Sequence, residues 1–175
     1  DSDGVTDDSQ TVDAVASDVV VDDVDEITII LNGHIIKMLE ANQPEDIDYK
    51  AHGIEDALLI DNTGNLRDYD GLSRHLKANG ISKVLLTAPG KGDIPNIVYG
   101  ANHREFEPDD HKIWSAASCT TNAAVPVLKV LEEHLGIERG HLETIHSYTN
   151  DQNLLDNFHP KNRRGRSAPT NMVIT

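Results

Sequence analysis

Residues 57–87 read ALLIDNTGNLRDYDGLSRHLKANGISKVLLT, and this stretch decides the fold class. The apolar run at residues 57–60 has the length of a short buried strand. Residues 69–79 follow with leucines on one face of a helical pattern, and Gly80 is placed to stop the helix. Residues 83–87 form the next apolar run. A strand, a helix and a strand in this order predict parallel strands in an α/β layer.

Further elements are predicted on both sides of this stretch. Upstream, two β-rich runs at residues 27–31 and 34–39 flank Asn32-Gly33. This pattern indicates a hairpin, because both turn residues accept a positive φ. Downstream, apolar runs predict strands at residues 96–99, 112–116, 142–148 and 172–174.

One long helix is predicted between these downstream strands. Residues 120–134 carry leucines on one face, and Gly136 is placed to end the helix. Pro126 lies inside this span, so we expect it to kink the helix or to lie near its first turns. Residues 149–167 form a polar loop rich in Asn, Asp and Arg.

The charge of the chain is concentrated at one end. The whole sequence of 175 residues has a formal net charge of -15, but residues 1–26 contain 10 of the 30 acidic residues and no Lys or Arg. This tract predicts a solvated, poorly ordered tail, although its valines at 19–21 could form a short strand. The acidic balance argues against nucleic-acid and anionic-membrane partners, which attract the opposite charge.

Length and cysteine usage limit the class of protein further. The length suits one domain or parts of two. The single cysteine excludes an internal disulfide and fits a reducing cytoplasm. The sequence contains no apolar run near 18 residues and no basic-then-apolar leader, so we expect neither a membrane span nor a signal peptide.

Cys119 is the first candidate for chemistry. It stands between a predicted strand and a predicted helix, among Ser118, Thr120, Thr121 and Asn122. The positive end of a helix dipole stabilises a thiolate, which is the nucleophilic form, and nearby N–H groups could hold an oxyanion. A lone cysteine is more often a small buried apolar residue, but such a residue has no need of these polar neighbours.

His146 and a group of arginines are the other candidates. His146 follows Cys119 by 27 positions, at the far side of one helix, and could act as its base. It is also one of nine histidines and could simply be packed. The guanidinium groups of Arg163, Arg164 and Arg166 could bind phosphate, or could equally serve a solvated loop or a subunit contact.

Several motifs in one order resemble the phosphorylating glyceraldehyde-3-phosphate dehydrogenases. They are SCTTN at 118–122 with a Pro four residues later, HSYTNDQ at 146–152, NTG at 62–64, TAPGKGD at 87–93 and GANH at 100–103. The segment 156–175, with its RRGR sequence, is similar to the S-shaped loop of that family. The resemblance extends from about residue 27 to residue 175.

The resemblance implies an α/β protein in two parts. Residues 27–118 would be the latter part of a Rossmann-like dinucleotide-binding domain, and residues 119–175 the start of a mixed-sheet α+β catalytic domain containing the S-shaped loop. It implies NAD as cofactor, with NADP not excluded, a small phosphorylated aldehyde and inorganic phosphate as substrates, no metal, and a homotetramer.

The resemblance also implies a role for each site residue. Cys119 would attack the aldehyde to form a thiohemiacetal, His146 would take the proton during oxidation, and phosphate would cleave the resulting thioester to an acyl phosphate. The positions matching phosphate-binding residues are Ser118, Thr120, Thr149, Asp151 and Arg164. The positions matching the dinucleotide site are Thr63, Gly64 and Thr87.

The sequence departs from the family pattern in its cofactor features. It contains neither a G-x-G-x-x-G motif nor the acidic residue that binds the ribose. Asn42 stands where many members carry Arg, and Asn157 and Phe158 replace loop residues linked to NAD preference. The segment therefore resembles the central part of a chain about twice as long, the size of a two-domain dehydrogenase.

Three other functions remain open from the sequence. Erythrose-4-phosphate dehydrogenase has the same Cys and His motifs. A thiol hydrolase would use Cys119 and His146 without a nicotinamide. A catalytically incompetent fragment would retain only folding or subunit contacts.

Overall fold

The computed structural model describes residues 27–160 and 162–173. The acidic tract predicted at residues 1–26, with its possible valine strand, lies outside the described residues. The chain divides into two compact units, one ending at Ser118 and the other beginning at Cys119.

The first unit begins with the predicted hairpin. Strand β1 (Ile27–Leu31) pairs antiparallel with β2 (His34–Met38). Asn32 and Gly33 form the turn with φ angles of 51° and 78°. Two positive φ angles match the turn type whose twist suits a two-residue hairpin, so this prediction is confirmed.

A three-stranded parallel sheet follows the hairpin. Strands β3 (Ala57–Asp61), β4 (Ile81–Leu86) and β5 (Ile113–Ser115) lie in that order, and both neighbouring pairs are parallel. Helix α1 (Tyr69–Ser73) lies on the connection between β3 and β4. The predicted α/β layer with parallel strands is therefore confirmed, since a parallel pair needs such a crossover.

Helix α1 is shorter than the predicted span of residues 69–79. The Asp68 side chain caps its start by accepting from the Gly71 amide at 2.8 Å. The helix ends after Ser73 and tightens into a 3-10 turn at His75–Lys77. Ala78 then takes an extended conformation, with ψ of 134°, and leads the chain into β4.

The core lies between this sheet and α1. Aliphatic side chains build it, as expected for a sequence with few aromatic residues. Its buried members are Leu72, Val84, Leu86, Ile94 and Ile113, and the partly buried side chains packed on them are Leu59, Leu66, Leu76, Ile81 and Ala88.

The strand predicted at residues 96–99 is reduced to one bridge, between Asn96 and Ser115. The Asn96 side chain is engaged locally, because its amide oxygen accepts from the Gly90 N–H at 3.0 Å and its NH₂ donates to the Ile94 carbonyl at 3.1 Å. Such side-chain bonds compete with a strand ladder, and the segment stays irregular.

The second unit begins with helix α2 (Cys119–Leu135), which confirms the helix predicted at residues 120–134. Pro126 lies inside it and donates no helical hydrogen bond. Gly136 ends the helix with a φ of 72°, and its N–H bonds to the Glu132 carbonyl at 3.1 Å.

The strand predicted at residues 142–148 is wrong. These residues are exposed and have no strand assignment, and they join no ladder among the described residues. An apolar, β-rich run becomes a strand only when a neighbouring strand satisfies its N–H and C=O groups. Met172 and Val173, from the last predicted strand, are also irregular, and Ile174 lies outside the described residues.

The described residues of the polar loop, 149–160 and 162–167, fold back on themselves. A 3-10 turn at Asn162–Gly165 lies against the start of the loop. The Asn153 N–H donates to the Arg164 carbonyl at 2.9 Å, and the Asn157 N–H donates to the Gly165 carbonyl at 2.9 Å. Because these bonds join its two halves, the described part of the polar loop has a defined conformation.

Membrane-spanning helices and clusters of metal ligands are both absent from the described residues. In residues 27–160 and 162–173, no helix combines the length and apolarity needed to cross a bilayer. Within the same ranges, no three side chains of His, Cys, Asp or Glu are grouped so as to bind a metal ion.

Candidate functional site

Cys119 is the first residue of α2, and its side chain is exposed. Thr120 contacts the thiol through its backbone N–H and its hydroxyl, both of which stabilise negative charge on sulfur. A helix start presents N–H groups that have no intrahelical acceptor, so this position favours a thiolate.

His146 lies beside the thiol within the same unit. Its Nε2 is 3.3 Å from the Cys119 Sγ, and its Nδ1 is 2.6 Å from the Ser147 carbonyl oxygen. A carbonyl oxygen only accepts, so Nδ1 must carry a proton and donate it there. Nε2 is then the nitrogen that exchanges a proton with the thiol.

The pair shifts both ionisation equilibria toward the charged forms. The hydrogen bond from His146 and the Thr120 backbone N–H lower the pKa of the Cys119 thiol against the opposing effect of burial. The Ser147 carbonyl, followed by the Cys119 sulfur, raises the pKa of His146. A thiolate next to an imidazolium is the state these contacts favour, and it is the reactive form of a cysteine nucleophile.

An open cleft adjoins the pair. Its volume is about 470 Å³, within the range of small-molecule sites. The first turns of α2 form one wall through Thr120, Ala123 and Ala124, and residues 142–146 form the other. The sulfur and the imidazole therefore face a space that a small substrate can enter.

The polar loop holds a second group of charged side chains. Arg164 Nη1 forms an ion pair with the Asp151 carboxylate, and His159 Nε2 lies 3.6 Å from the other oxygen of that carboxylate. The Nε of Arg164 is buried and has no hydrogen-bond partner among the described residues. Asp151 thus neutralises Arg164 and holds it against the first half of the loop.

The remaining predicted phosphate residues differ in their surroundings. Thr120 joins the Cys119–His146 pair directly. The Thr149 carbonyl accepts from the Gln152 N–H at 2.9 Å, which closes the first turn of the polar loop. Ser118 is half-buried and ends the first unit.

The three predicted cofactor residues lie together at the carboxyl edge of the parallel sheet. Thr63 and Gly64 follow β3, and Thr87 follows β4. Gly64 takes a φ of 66°, and Thr63 and Thr87 both bond to Asp61. Ligands of open α/β sheets bind at this edge, so the placement suits a dinucleotide.

Three contributing groups were not identified from the sequence. The Ser147 carbonyl fixes the tautomer of His146, His159 lies beside Asp151, and Asp61 bonds to two cofactor candidates. Of these three, only Asp61 could have been identified from the sequence, because an acidic residue directly after a predicted buried strand is unusual enough to suggest a role. A backbone carbonyl leaves no trace in a sequence.

Comparisons with known proteins identify the family. Residues 118–175 match the model for "Glyceraldehyde 3-phosphate dehydrogenase, C-terminal domain", and this range contains both Cys119 and His146. A glyceraldehyde-3-phosphate dehydrogenase-like protein of Pseudomonas aeruginosa is 61% identical over 148 residues, which are 85% of this chain and 32% of that protein. The chain belongs to the glyceraldehyde-3-phosphate dehydrogenase family.

Other family members match over the same extent. Chloroplastic glyceraldehyde-3-phosphate dehydrogenase A of Zea mays is 45% identical over 147 residues, covering 84% of this chain and 36% of that protein. Glyceraldehyde-3-phosphate dehydrogenase 2 of Bacillus subtilis is 39% identical over 150 residues, covering 86% of this chain and 43% of that protein. The chain thus spans between about a third and less than half of these relatives.

Proposed function

We propose that the protein is an NAD-dependent dehydrogenase that oxidises glyceraldehyde 3-phosphate and releases the product as an acyl phosphate. The distance of 3.3 Å between the Cys119 Sγ and the His146 Nε2 is the observation that carries the proposal. At this distance the imidazole can act as a base for the thiol nucleophile. The names of the Zea mays and Bacillus subtilis relatives support the choice of substrate.

The chemistry begins with the thiolate of Cys119. It adds to the aldehyde carbon to form a C–S bond, and the proton on His146 Nε2 moves to the oxygen, which gives a neutral thiohemiacetal. His146 then takes back that hydroxyl proton as the carbon is oxidised to a thioester. Inorganic phosphate attacks the thioester carbon, the C–S bond breaks, and the Cys119 thiolate returns with release of the acyl phosphate.

NAD supplies the hydride acceptor for this oxidation when it is bound. Thr63, Gly64 and Thr87 are the residues proposed to hold it. They fit the role because two hydroxyls and a backbone turn with positive φ meet at the carboxyl edge of β3 and β4. We expect NAD rather than NADP, and the rates of reduction of the two cofactors test this choice.

Hydroxyl and guanidinium groups are proposed to bind the phosphates. Ser118, Thr120 and Thr149 offer hydroxyl donors, and Arg164 offers a planar guanidinium that matches phosphate geometry. Asp151 carries a negative charge and would repel a phosphate at close range. Its ion pair with Arg164 instead gives it the role of orienting that guanidinium.

Absorbance of reduced nicotinamide tests the proposal in the full-length protein. We expect reduction of NAD that depends on both glyceraldehyde 3-phosphate and inorganic phosphate, with lower activity on erythrose 4-phosphate and with NADP. Cys119→Ser should lower kcat by at least about a thousandfold, because a hydroxyl is a far weaker nucleophile. We also propose a homotetramer, as the family resemblance implies, and light scattering on the same sample measures the mass of the assembly.

Two results would contradict the proposal. Hydrolysis of an activated ester without nicotinamide reduction would identify a thiol hydrolase. Faster reduction with erythrose 4-phosphate than with glyceraldehyde 3-phosphate would change the substrate.

A further inference from the structure

We propose that Asp61 is a positioning residue for the dinucleotide site, an inference that rests on the proposed function. Asp61 is the last residue of β3, and it bonds to both threonines proposed to hold the cofactor. Its Oδ1 accepts from the Thr63 N–H and from the Thr63 hydroxyl, each at 2.7 Å. Its backbone carbonyl accepts from the Thr87 N–H at 3.0 Å and lies 3.2 Å from the Thr87 hydroxyl.

The carboxylate of Asp61 is buried, which makes these bonds necessary. The residue is 3% exposed, and its Oδ2 lies 3.2 Å from Nε2 of His75, in the 3-10 turn after α1. Burial alone would raise the pKa of Asp61, but the Thr63 hydroxyl and amide, with His75, outweigh it and keep that pKa below its usual value. Asp61 therefore stays ionised at neutral pH.

Hydrogen bonds hold the hydroxyl groups of Thr63 and Thr87 in place at the proposed cofactor site. The Thr63 hydroxyl donates its proton to Asp61 and accepts from the Asn65 N–H at 3.3 Å, so its orientation is fixed. The Thr87 hydroxyl lies 2.9 Å from the Asn62 amide oxygen. A set of polar atoms held in one geometry binds with a smaller entropy cost than a mobile set.

Stability of the sheet alone does not account for a carboxylate at this position. A buried charge costs desolvation energy, and an apolar side chain of similar volume would serve packing at least as well. The two groups on Oδ1 both belong to the turn at the ligand-binding edge, whereas the aliphatic core lies on α1 and the sheet. We therefore assign to the Asp61 carboxylate the role of positioning Thr63 in the turn after β3.

Asp61→Ala and Asp61→Asn in the full-length protein test this assignment. The alanine variant removes the acceptor, and we expect the KM and Kd for NAD to rise about tenfold. The asparagine variant keeps an acceptor oxygen for Thr63 and should restore the KM and Kd for NAD to within a few-fold of wild type. Asp70→Asn is the matched control, because Asp70 is an exposed carboxylate in the same segment, and it should leave both values unchanged.

The readouts separate positioning from a loss of folding. The KM for the aldehyde and the alkylation rate of Cys119 should not change in Asp61→Ala, measured well below its thermal midpoint. If Asp61→Ala does not fold, Asp61→Ser replaces it, since its shorter hydroxyl cannot take both bonds from Thr63. Unchanged NAD affinity in the folded variant overturns the inference while the proposed function stands. A wild-type protein that does not bind NAD overturns both.

Discussion

His146 reaches Cys119 at 3.3 Å across 27 positions of sequence, and helix α2 lies almost entirely between them. Seventeen helical residues extend about 25 Å away from Cys119. The chain must therefore return the length of the helix before His146 can meet the thiol. The irregular residues 136–145 can span roughly 33 Å when extended, which is enough for that return. The irregular segment 136–145 therefore brings His146 back to Cys119.

The first prediction concerns the reactivity of the thiol. In an alkylation assay against pH, Cys119 should react at a lower pH than a model thiol, because the contacts that lower its pKa favour thiolate. His146→Ala removes the largest of these contacts, so the inflection should move upward and the rate at pH 7 should fall several-fold. The inflection should remain below that of a model thiol, because the Thr120 N–H is retained.

His141→Ala is the control for this experiment. His141 is an exposed histidine in the same irregular segment, five positions before His146, and its removal should leave the profile of alkylation rate against pH unchanged. Equal profiles for wild type and His146→Ala would show that the imidazole does not stabilise the thiolate.

The second prediction concerns the packing of the polar loop. A Cβ added at Gly165 would lie 2.3 Å from the Asn157 carbonyl oxygen, and this oxygen belongs to the backbone and cannot turn aside. Gly165→Ala must therefore separate the two halves of the loop, at a cost of about 1–3 kcal/mol of unfolding free energy. Amide hydrogen exchange at Asn153 and Asn157, whose N–H groups bond across the loop, should become faster.

Gly140→Ala provides the matched substitution for Gly165→Ala. Nothing lies within 4 Å of a Cβ added at Gly140. The change should therefore alter stability by no more than about 0.5 kcal/mol. Similar exchange rates in the two variants would refute the close approach of the backbone at Gly165.

The fold was predictable where local pattern and long-range contact agree. Strands β3, β4 and β5 are short apolar runs, and each pairs with a parallel neighbour that satisfies its backbone. Residues 142–148 have the same kind of pattern but no strand beside them, so the pattern alone misled. Helix α1 ends early where the 3-10 turn places His75 against Asp61, a contact across 14 positions that helical periodicity does not encode.

The site was predictable in part for a similar reason. Cys119 and His146 are chemically distinctive residues, so residue type and motif were enough to nominate the pair. The groups that shift the pKa values of the pair include the Ser147 carbonyl and the Thr120 N–H. Every residue has a backbone carbonyl and every residue except proline has a backbone N–H, so residue type does not identify them. Arg164 was also identified by its residue type. Its ion pair with Asp151 was not, because that contact depends on how the polar loop folds.

The last prediction concerns the core that supports the cofactor edge. Leu72 is fully buried on α1, packed with Val84 and Leu86 of β4. Leu72→Ala removes three carbons from a closely packed site and leaves a cavity, so it should cost about 2–5 kcal/mol of unfolding free energy. Leu72→Met nearly conserves the volume and should cost less than about 1.5 kcal/mol. Urea denaturation followed by the fluorescence of buried Trp114 in β5 measures both values. Equal losses in the two variants would mean that shape at this position, rather than buried volume, stabilises the sheet, whereas no loss in either would place Leu72 outside the core.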